Sequence, residues 1–218
     1  METSADGIWL FTVFQRGGPM MWPILVCSIL AVAISIERFI KLQKEKVIHP
    51  GFLSEVRREW QEKKFDRAME VCNRHSTPVS RIVRAGLLRW KMGILEIERA
   101  VEGAGNHEST LLNANLRGLG VIANIAPMLG LLGTVAGMIK AFNVISTSGS
   151  GNAALVANGI SEALITTASG LIVGIPTLAI YHFFKGKVEQ LIFEMEEVSI
   201  NFIEEIGYSL VSDEEEPG

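Results

Sequence analysis

The chain has 218 residues, of which 48% are hydrophobic and 20% are charged, and its mean hydropathy is +0.29. This composition excludes a disordered chain and is unusual for a water-soluble domain. Because 24 acidic residues outweigh 20 basic ones, the net charge is −4, and we expect no nucleic-acid partner. The two cysteines, Cys27 and Cys72, lie in an apolar and a charged segment respectively, so we predict free thiols.

The first apolar segment runs without a charge from Gly17 to Ile36 and is followed by Glu37-Arg38. At about 1.5 Å per residue, a segment of this length crosses a hydrocarbon core of about 30 Å. Acidic residues precede the segment, where a cleaved signal peptide would carry basic ones. We therefore predict an outer, periplasmic segment over residues 1–16 and a first transmembrane helix over 17–40.

The middle of the chain, residues 41–117, is strongly charged. It contains 15 of the 20 basic residues together with 10 acidic ones, and apolar residues recur between them at helical spacing. We predict a domain of amphipathic helices here, with a break at Ser76-Thr77-Pro78. Its many basic residues place the domain in the cytoplasm by the positive-inside rule, which leaves the N-terminus outside.

Two further apolar segments follow the charged domain. Gly118 to Ile139 carries no charge, and Ala153 to Phe184 has Glu162 as its only charged residue. We predict a second transmembrane helix over 118–145, an outer loop over 146–152 and a third transmembrane helix over 153–184. The third helix is expected to continue into a cytoplasmic helix with an acidic tail, 185–218. The predicted fold class is an all-α integral membrane protein with three transmembrane helices extended by long cytoplasmic helices.

The third helix has one face of polar and small residues. At about 100° per residue, this face contains Glu162, Thr166, Ser169, Gly170 and Gly174, with Thr167 beside it. An ionisable residue on such a face inside a membrane indicates a function. Two alternatives stay open, because Glu162 could lie at the outer interface and the small residues could serve close helix packing alone.

The second helix has a similar face. One side of it contains Gly130, Gly133, Thr134, Gly137 and Ala141. The spacing of Gly133, Gly137 and Ala141 predicts the close approach of a neighbouring backbone. Lys140 lies near the outer end of this helix, and we expect its ammonium group to extend to the membrane interface.

Two motifs carry a resemblance to a known family. They are Gly130-Leu-Leu-Gly-Thr-Val-Ala-Gly137 in the second helix and Gly159-Ile-Ser-Glu-Ala-Leu-Ile-Thr-Thr-Ala-Ser-Gly-Leu171, followed by Pro176, in the third. With these motifs and a long cytoplasmic insertion, nearly the whole chain resembles the ExbB/TolQ/MotA family of proton-channel motor subunits, and specifically ExbB and TolQ. Ala136 and Lys140 depart from a common ExbB pattern, so both subfamilies stay open.

The resemblance implies roles for individual residues. Thr134 and Thr167 are expected to line a central pore, and Glu162 matches the family's acidic pore residue. Thr166 and Ser169, which share the face of Glu162, are assigned to the same ion pathway. Helix packing or contact with a partner is assigned to Gly130, Gly133, Gly137, Ala141, Gly170 and Gly174.

The resemblance also implies an assembly in the bacterial inner membrane. We expect a homopentamer around a single-span ExbD- or TolR-like partner that supplies the proton-binding Asp. A TonB- or TolA-like protein would pass the work to outer-membrane transport or envelope integrity. We predict no cofactor, no metal and no enzymatic activity, and both H⁺ and Na⁺ stay open as the ion. The alternative function is a non-motor scaffold that holds a helical membrane complex together.

Overall fold

The structure is a computed structural model that describes residues 14–148 and 153–214. In chain order, the described elements are α1 (Met21–Lys41), α2 (Lys44–Val47), α3 (Phe52–Gln61), α4 (Phe65–Arg74), α5 (Pro78–Leu87), a 3-10 turn (Trp90–Met92), α6 (Ile94–Ser148) and α7 (Ala153–Glu214). Within these two described ranges there is no strand. The predicted all-α fold is therefore confirmed.

Among the described helices, α1, α6 and α7 are long and apolar enough to cross a membrane, in agreement with the three predicted transmembrane helices. Helix α7 is continuous, which confirms the prediction that the third transmembrane helix continues past residue 184. The predicted outer segment is described only from residue 14. Residues 149–152 of the predicted loop and 215–218 of the predicted tail also lie outside the described residues.

The chain forms two compact units. The first, which we call the seam unit, comprises the described residues of Met1–Glu37 and Leu116–Phe183. The second, which we call the core unit, comprises the described residues of Arg38–Asn115 and Phe184–Gly218. Helices α6 and α7 contribute residues to both units.

The seam unit is built from α1 up to Glu37 and from the apolar stretches of α6 and α7. Pro127 and Pro176 lie inside α6 and α7, and both helices continue through them. The outward-facing side chains are large and apolar, as expected for helices surrounded by lipid. Examples that are 63–71% exposed are Trp22, Met128, Leu131, Leu164, Ile172 and Ile175.

The core unit has the opposite distribution, with large apolar side chains inside and most charged ones outside. Side chains that are at most 2% exposed include Phe52, Val56, Ile82, Ile97, Val188 and Met195. On α7 the buried residues of this unit recur at spacings of three and four, which is the pattern of an amphipathic helix. Burial of such apolar surface is the main source of stability in a water-soluble fold.

The break between α4 and α5 falls at the predicted position. Thr77 is the N-cap of α5, and its Oγ1 accepts a hydrogen bond of 3.2 Å from the backbone N–H of Ser80. In return, Ser80 Oγ accepts a hydrogen bond of 3.1 Å from the backbone N–H of Thr77. Pro78 occupies the first helical position, where its missing N–H costs nothing. This capping box confirms the predicted start of a helix after Ser76.

An ion pair with a buried carboxylate fixes α5 to α6 within the core unit. Arg81 donates from Nε and Nη2 to the two carboxylate oxygens of Glu108, each at 2.6 Å. Glu108 is only 4% exposed, and the hydrogen bond to its carboxylate raises the pKa of Arg81. Such a bidentate contact fixes both the distance and the angle between the two side chains.

Candidate functional site

The candidate site follows the line of contact between α6 and α7 in the seam unit, which we call the seam. Ala141 of α6 contacts Gly159 of α7 at one end, and Gly120 contacts Tyr181 at the other, so the two helices run antiparallel. The six residues predicted to serve packing or partner contact are all buried at this seam: Gly130, Gly133, Gly137, Ala141, Gly170 and Gly174. Their described contacts are with helices of the same chain.

The seam needs glycine because backbone lies directly against backbone there. A Cβ atom added at Gly170 would lie 2.6 Å from the carbonyl oxygen of Ala126, and one added at Gly137 would lie 2.8 Å from that of Gly159. Gly174 faces the ring of Pro127, where an added Cβ would lie 2.4 Å from Cγ. Side chains larger than hydrogen would therefore push the helices apart.

The hydroxyl of Thr166 is buried in the seam unit and is 1% exposed as a residue. Its Oγ1 lies 2.7 Å from the carbonyl oxygen of Glu162 and 2.8 Å from that of Gly17, and it shares its one proton between them. Thr166 was predicted to line the ion pathway, and the structure places it between α7 and the turn that precedes α1. In this position it connects parts of one chain.

The other three predicted pathway hydroxyls are half-buried. Thr167 Oγ1 donates to the carbonyl oxygen of Gly130 across the seam at 2.9 Å. Thr134 donates to Leu131 at 2.6 Å and Ser169 to Ile165 at 2.8 Å, each within its own helix. Each hydroxyl oxygen keeps acceptor capacity while its proton is engaged. A half-exposed hydroxyl in this state can accept a hydrogen bond from a protonated carboxyl group or from water.

Glu162 forms an ion pair that the sequence analysis did not predict. Its Oε2 lies 2.5 Å from Nζ of Lys140, and its side chain is 17% exposed, whereas that of Lys140 is 65% exposed. Lys140 was predicted to extend to the membrane interface. The two residues lie at similar distances from the loop of an antiparallel hairpin, but the axial register that brings them together is not specified by a local sequence pattern.

The chemistry available at the seam consists of hydroxyls, backbone carbonyls and this one ion pair. Among the described residues, no group of three or more His, Cys, Asp or Glu side chains is placed to hold a metal ion. Within the apolar stretches 118–145 and 153–184, Glu162 is the only carboxylate in the sequence.

The structure defines the chain as an all-α membrane protein with a tightly packed helical hairpin. The model of the MotA/TolQ/ExbB proton channel family matches residues 74–197, which is more than half of the chain. The chain belongs to this family. The matched range includes the seam, α5 before it and the part of α7 up to residue 197.

Several relatives share extended similarity with the chain. It is 32% identical to the biopolymer transport protein ExbB-like 1 of Synechocystis over 182 residues, covering 79% of this chain and 69% of the relative. It is 28% identical to the biopolymer transport protein exbB1 of Vibrio cholerae over 169 residues, covering 76% and 74% respectively. It is 38% identical to the Tol-Pal system protein TolQ of Pseudomonas aeruginosa over 96 residues, covering 44% and 42%. This similarity confirms the family recognised from the two motifs.

Proposed function

We propose that this chain is an ExbB- or TolQ-like subunit of an ion-driven motor in the bacterial inner membrane. The proposal rests on the ion pairing of the only carboxylate in the apolar stretches of α6 and α7. Glu162 is already paired with Lys140, so its negative charge is balanced within the chain. A cycle of ion binding and release then needs a carboxylate from another chain.

The half-buried hydroxyls are suited to serve such an external carboxylate. A hydroxyl whose proton is engaged accepts from a protonated carboxyl group, and it donates to a charged carboxylate once its own hydrogen bond is released, so Thr134 and Thr167 can stabilise both states in turn. Their present hydrogen bonds to Leu131 and Gly130 occupy the donor and leave the oxygen available. We assign the missing carboxylate to an Asp on a single-span ExbD- or TolR-like partner, enclosed by five copies of this chain.

The energy source is adequate for mechanical work. Moving one elementary charge through about 100 mV releases about 2.3 kcal/mol. In the proposed cycle, protonation and deprotonation of the partner's carboxylate drive rotation of the partner relative to the pentamer. A TonB- or TolA-like protein then passes the work to outer-membrane transport or to envelope integrity.

The proposed orientation follows from the distribution of basic residues. Residues 1–16 and 146–152 lie outside, the helices within 17–40, 118–145 and 153–184 cross the membrane, and 41–117 and 185–218 lie in the cytoplasm. The support is the 15 basic residues in 41–117. Labelling of single cysteines introduced at residues 8 and 110 with a membrane-impermeant maleimide in intact spheroplasts tests this orientation, with modification expected only at residue 8.

The experiment that tests the proposal is native mass spectrometry of the chain co-expressed with the product of its neighbouring reading frame. A complex of five copies with two copies of an Asp-bearing single-span protein is the expected result. A stable assembly that never takes up such a partner would overturn the motor proposal and favour a scaffold. The matched control is the same Asp-bearing partner with its membrane Asp replaced by Asn, which should still assemble.

A further inference from the structure

The turn that precedes α1 contacts the Glu162 ion pair directly. We propose that this turn, Gly17-Gly18, positions the Glu162 carboxylate against Lys140, and that Gly18 is a positioning residue for the ion pair. The inference deepens the proposed function, on which its consequence for ion flux rests. The positioning role itself is argued only from the contacts between the turn, α6 and α7.

The backbone of the turn has a conformation that suits glycine. Gly18 has a φ of +69°, in the left-handed region that glycine adopts without strain. Its carbonyl oxygen accepts a hydrogen bond of 3.2 Å from the backbone N–H of Met21, the first residue of α1. The turn therefore has a defined conformation that leads directly into the helix.

The turn lies directly against the carboxylate of Glu162. A Cβ atom added at Gly18 would lie 1.9 Å from Oε1 of Glu162 and 2.7 Å from its Cδ. Any other residue at this position would therefore displace the Glu162 side chain or the turn itself. The carboxylate is enclosed between the Gly18 backbone on the Oε1 side and the Lys140 ammonium group on the Oε2 side.

A hydrogen bond and close packing attach the turn to α7. The carbonyl oxygen of Gly17 accepts from Thr166 Oγ1 at 2.8 Å, one helical turn after Glu162. Gly17 itself is buried, and a Cβ added to it would lie 3.2 Å from Cγ2 of Ile165. The turn thus contacts Glu162, Ile165 and Thr166, which share one side of α7, and it cannot shift without breaking the Thr166 hydrogen bond.

The consequence is that Glu162 is held as a paired group. With Oε2 bound to Lys140 and the turn packed against Oε1, the carboxylate has one orientation, which keeps it from acting as a second, mobile ion carrier. Release of the side chain would expose an unpaired carboxylate beside the ion pathway. The positioning role of Gly18 is to prevent this release.

The test uses full-length protein in detergent and follows Lys140 with a water-soluble amine-reactive ester, quantified by peptide mass spectrometry. Asn tolerates a positive φ better than most residues, so Gly18→Asn introduces the Cβ clash with little backbone strain. Labelling of Lys140 is expected to rise about threefold or more, to the level of Glu162→Gln. The matched control is Gly51→Asn, because Gly51 has a φ of +84° and open space around its Cβ position, and it should leave Lys140 labelling unchanged.

A double substitution keeps the proposal testable if Gly18→Asn does not fold. In a Glu162→Ala background the clash is absent, so adding Gly18→Asn should restore folding and cause no further change in Lys140 labelling. Labelling that stays at the wild-type level in Gly18→Asn would overturn the positioning role. So would a double variant as unstable as Gly18→Asn alone, because the defect would then come from the turn itself.

Ion flux separates this inference from the proposed function. In proteoliposomes with the partner, Gly18→Asn and Lys140→Met are expected to change the proton flux by the same factor, and their combination by no more than either alone. A wild-type complex without flux, but with the expected labelling pattern, would reject the proposed function and leave the positioning role intact. Normal flux with unchanged labelling would reject the positioning role alone.

Discussion

The two units of the chain place large and small side chains in opposite positions. In the core unit, Phe52 and Ile97 are at most 1% exposed, and most charged groups lie outside. In the seam unit, the contact between α6 and α7 is made mainly by glycine, alanine and threonine, while Met128 and Ile172 point outward. One chain therefore follows two packing rules, each within its own stretch of sequence.

The different placement of large and small side chains corresponds to different surroundings, water in one case and lipid in the other. In water, burying large apolar side chains stabilises the fold, so the core unit collects them. In lipid this gain disappears, because the tails are as apolar as the side chains, and association depends on close backbone contact and hydrogen bonds. The hydroxyls of the seam unit follow the same rule, since Thr166, Thr167 and Ser169 all donate to backbone carbonyls.

The largest expected effect comes from breaking the seam. Gly170→Val would place a side chain within 2.6 Å of a backbone carbonyl, so the helices must separate. We expect a loss of about 4 kcal/mol or more in the free energy of unfolding, or failure to assemble. Gly186→Val is the matched control, because Gly186 lies on the same helix with open space around its Cβ position. Thermal unfolding in detergent measures both, and equal effects would contradict the backbone-contact interpretation of the seam.

The next effect compares two isoleucines directly. Ile97→Ala removes a fully buried side chain of the core unit, and we expect a cost of about 2–5 kcal/mol. Ile172→Ala acts on a side chain that is 71% exposed in the seam unit, and its effect should stay within about 0.5 kcal/mol. Urea unfolding in mild detergent gives both values. A cost at Ile172 as large as that at Ile97 would show that this seam-unit face is packed against protein.

A smaller effect concerns the ion pair between Arg81 and Glu108 in the core unit. Arg81→Met leaves the buried Glu108 carboxylate without its two hydrogen bonds, and we expect a loss of about 1–3 kcal/mol because Arg81 is partly exposed to water. Arg84→Met, on the same helix and exposed, is the control and should change stability by less than about 0.5 kcal/mol. The urea unfolding midpoints of the two variants measure this difference. An unchanged midpoint in Arg81→Met would show that the ion pair does not stabilise the fold.

The smallest effect depends on pH. Burial raises the pKa of Cys72 in the core unit from 9.0 to about 12, so the native state keeps the neutral thiol while the unfolded chain loses its proton above pH 9. Stability from this group is complete below pH 9 and falls as the pH rises toward 12. Relative to Cys72→Ala, the wild-type protein should lose an additional amount of about 1 kcal/mol between pH 7 and pH 9.5. A pH-independent difference between the two proteins would show that the thiol is accessible to water.

Much of the fold could be predicted from the sequence because its signals are local. Apolar length predicted the three long helices, and Ser76-Thr77-Pro78 predicted the break before α5. The continuation of the third transmembrane helix past residue 184 was also predicted. The small residues of the seam were predicted to share a face for the same reason, since that face follows from helix geometry alone.

The contacts between helices could not be predicted in the same way. Which residue of α6 meets which residue of α7 depends on the axial register of the hairpin, and no local pattern specifies that register. For this reason the pairing of Lys140 with Glu162 was missed, as was the contact of Gly17 with Thr166. The polar face of α7 also could not separate the buried Thr166 from the half-buried Ser169.

The most direct test of the account is proton flux through the reconstituted complex at a potential of about 100 mV, compared between wild type and Thr134→Val. Loss of one stabilising hydrogen bond at the pathway predicts a flux about tenfold lower, with unchanged assembly by native mass spectrometry. Thr110→Val is the control, because Thr110 also donates within its own helix, to Asn106 at 2.9 Å, but lies in the core unit. Flux that is unchanged in Thr134→Val, or equally reduced in Thr110→Val, would contradict a hydroxyl-lined ion pathway at this position.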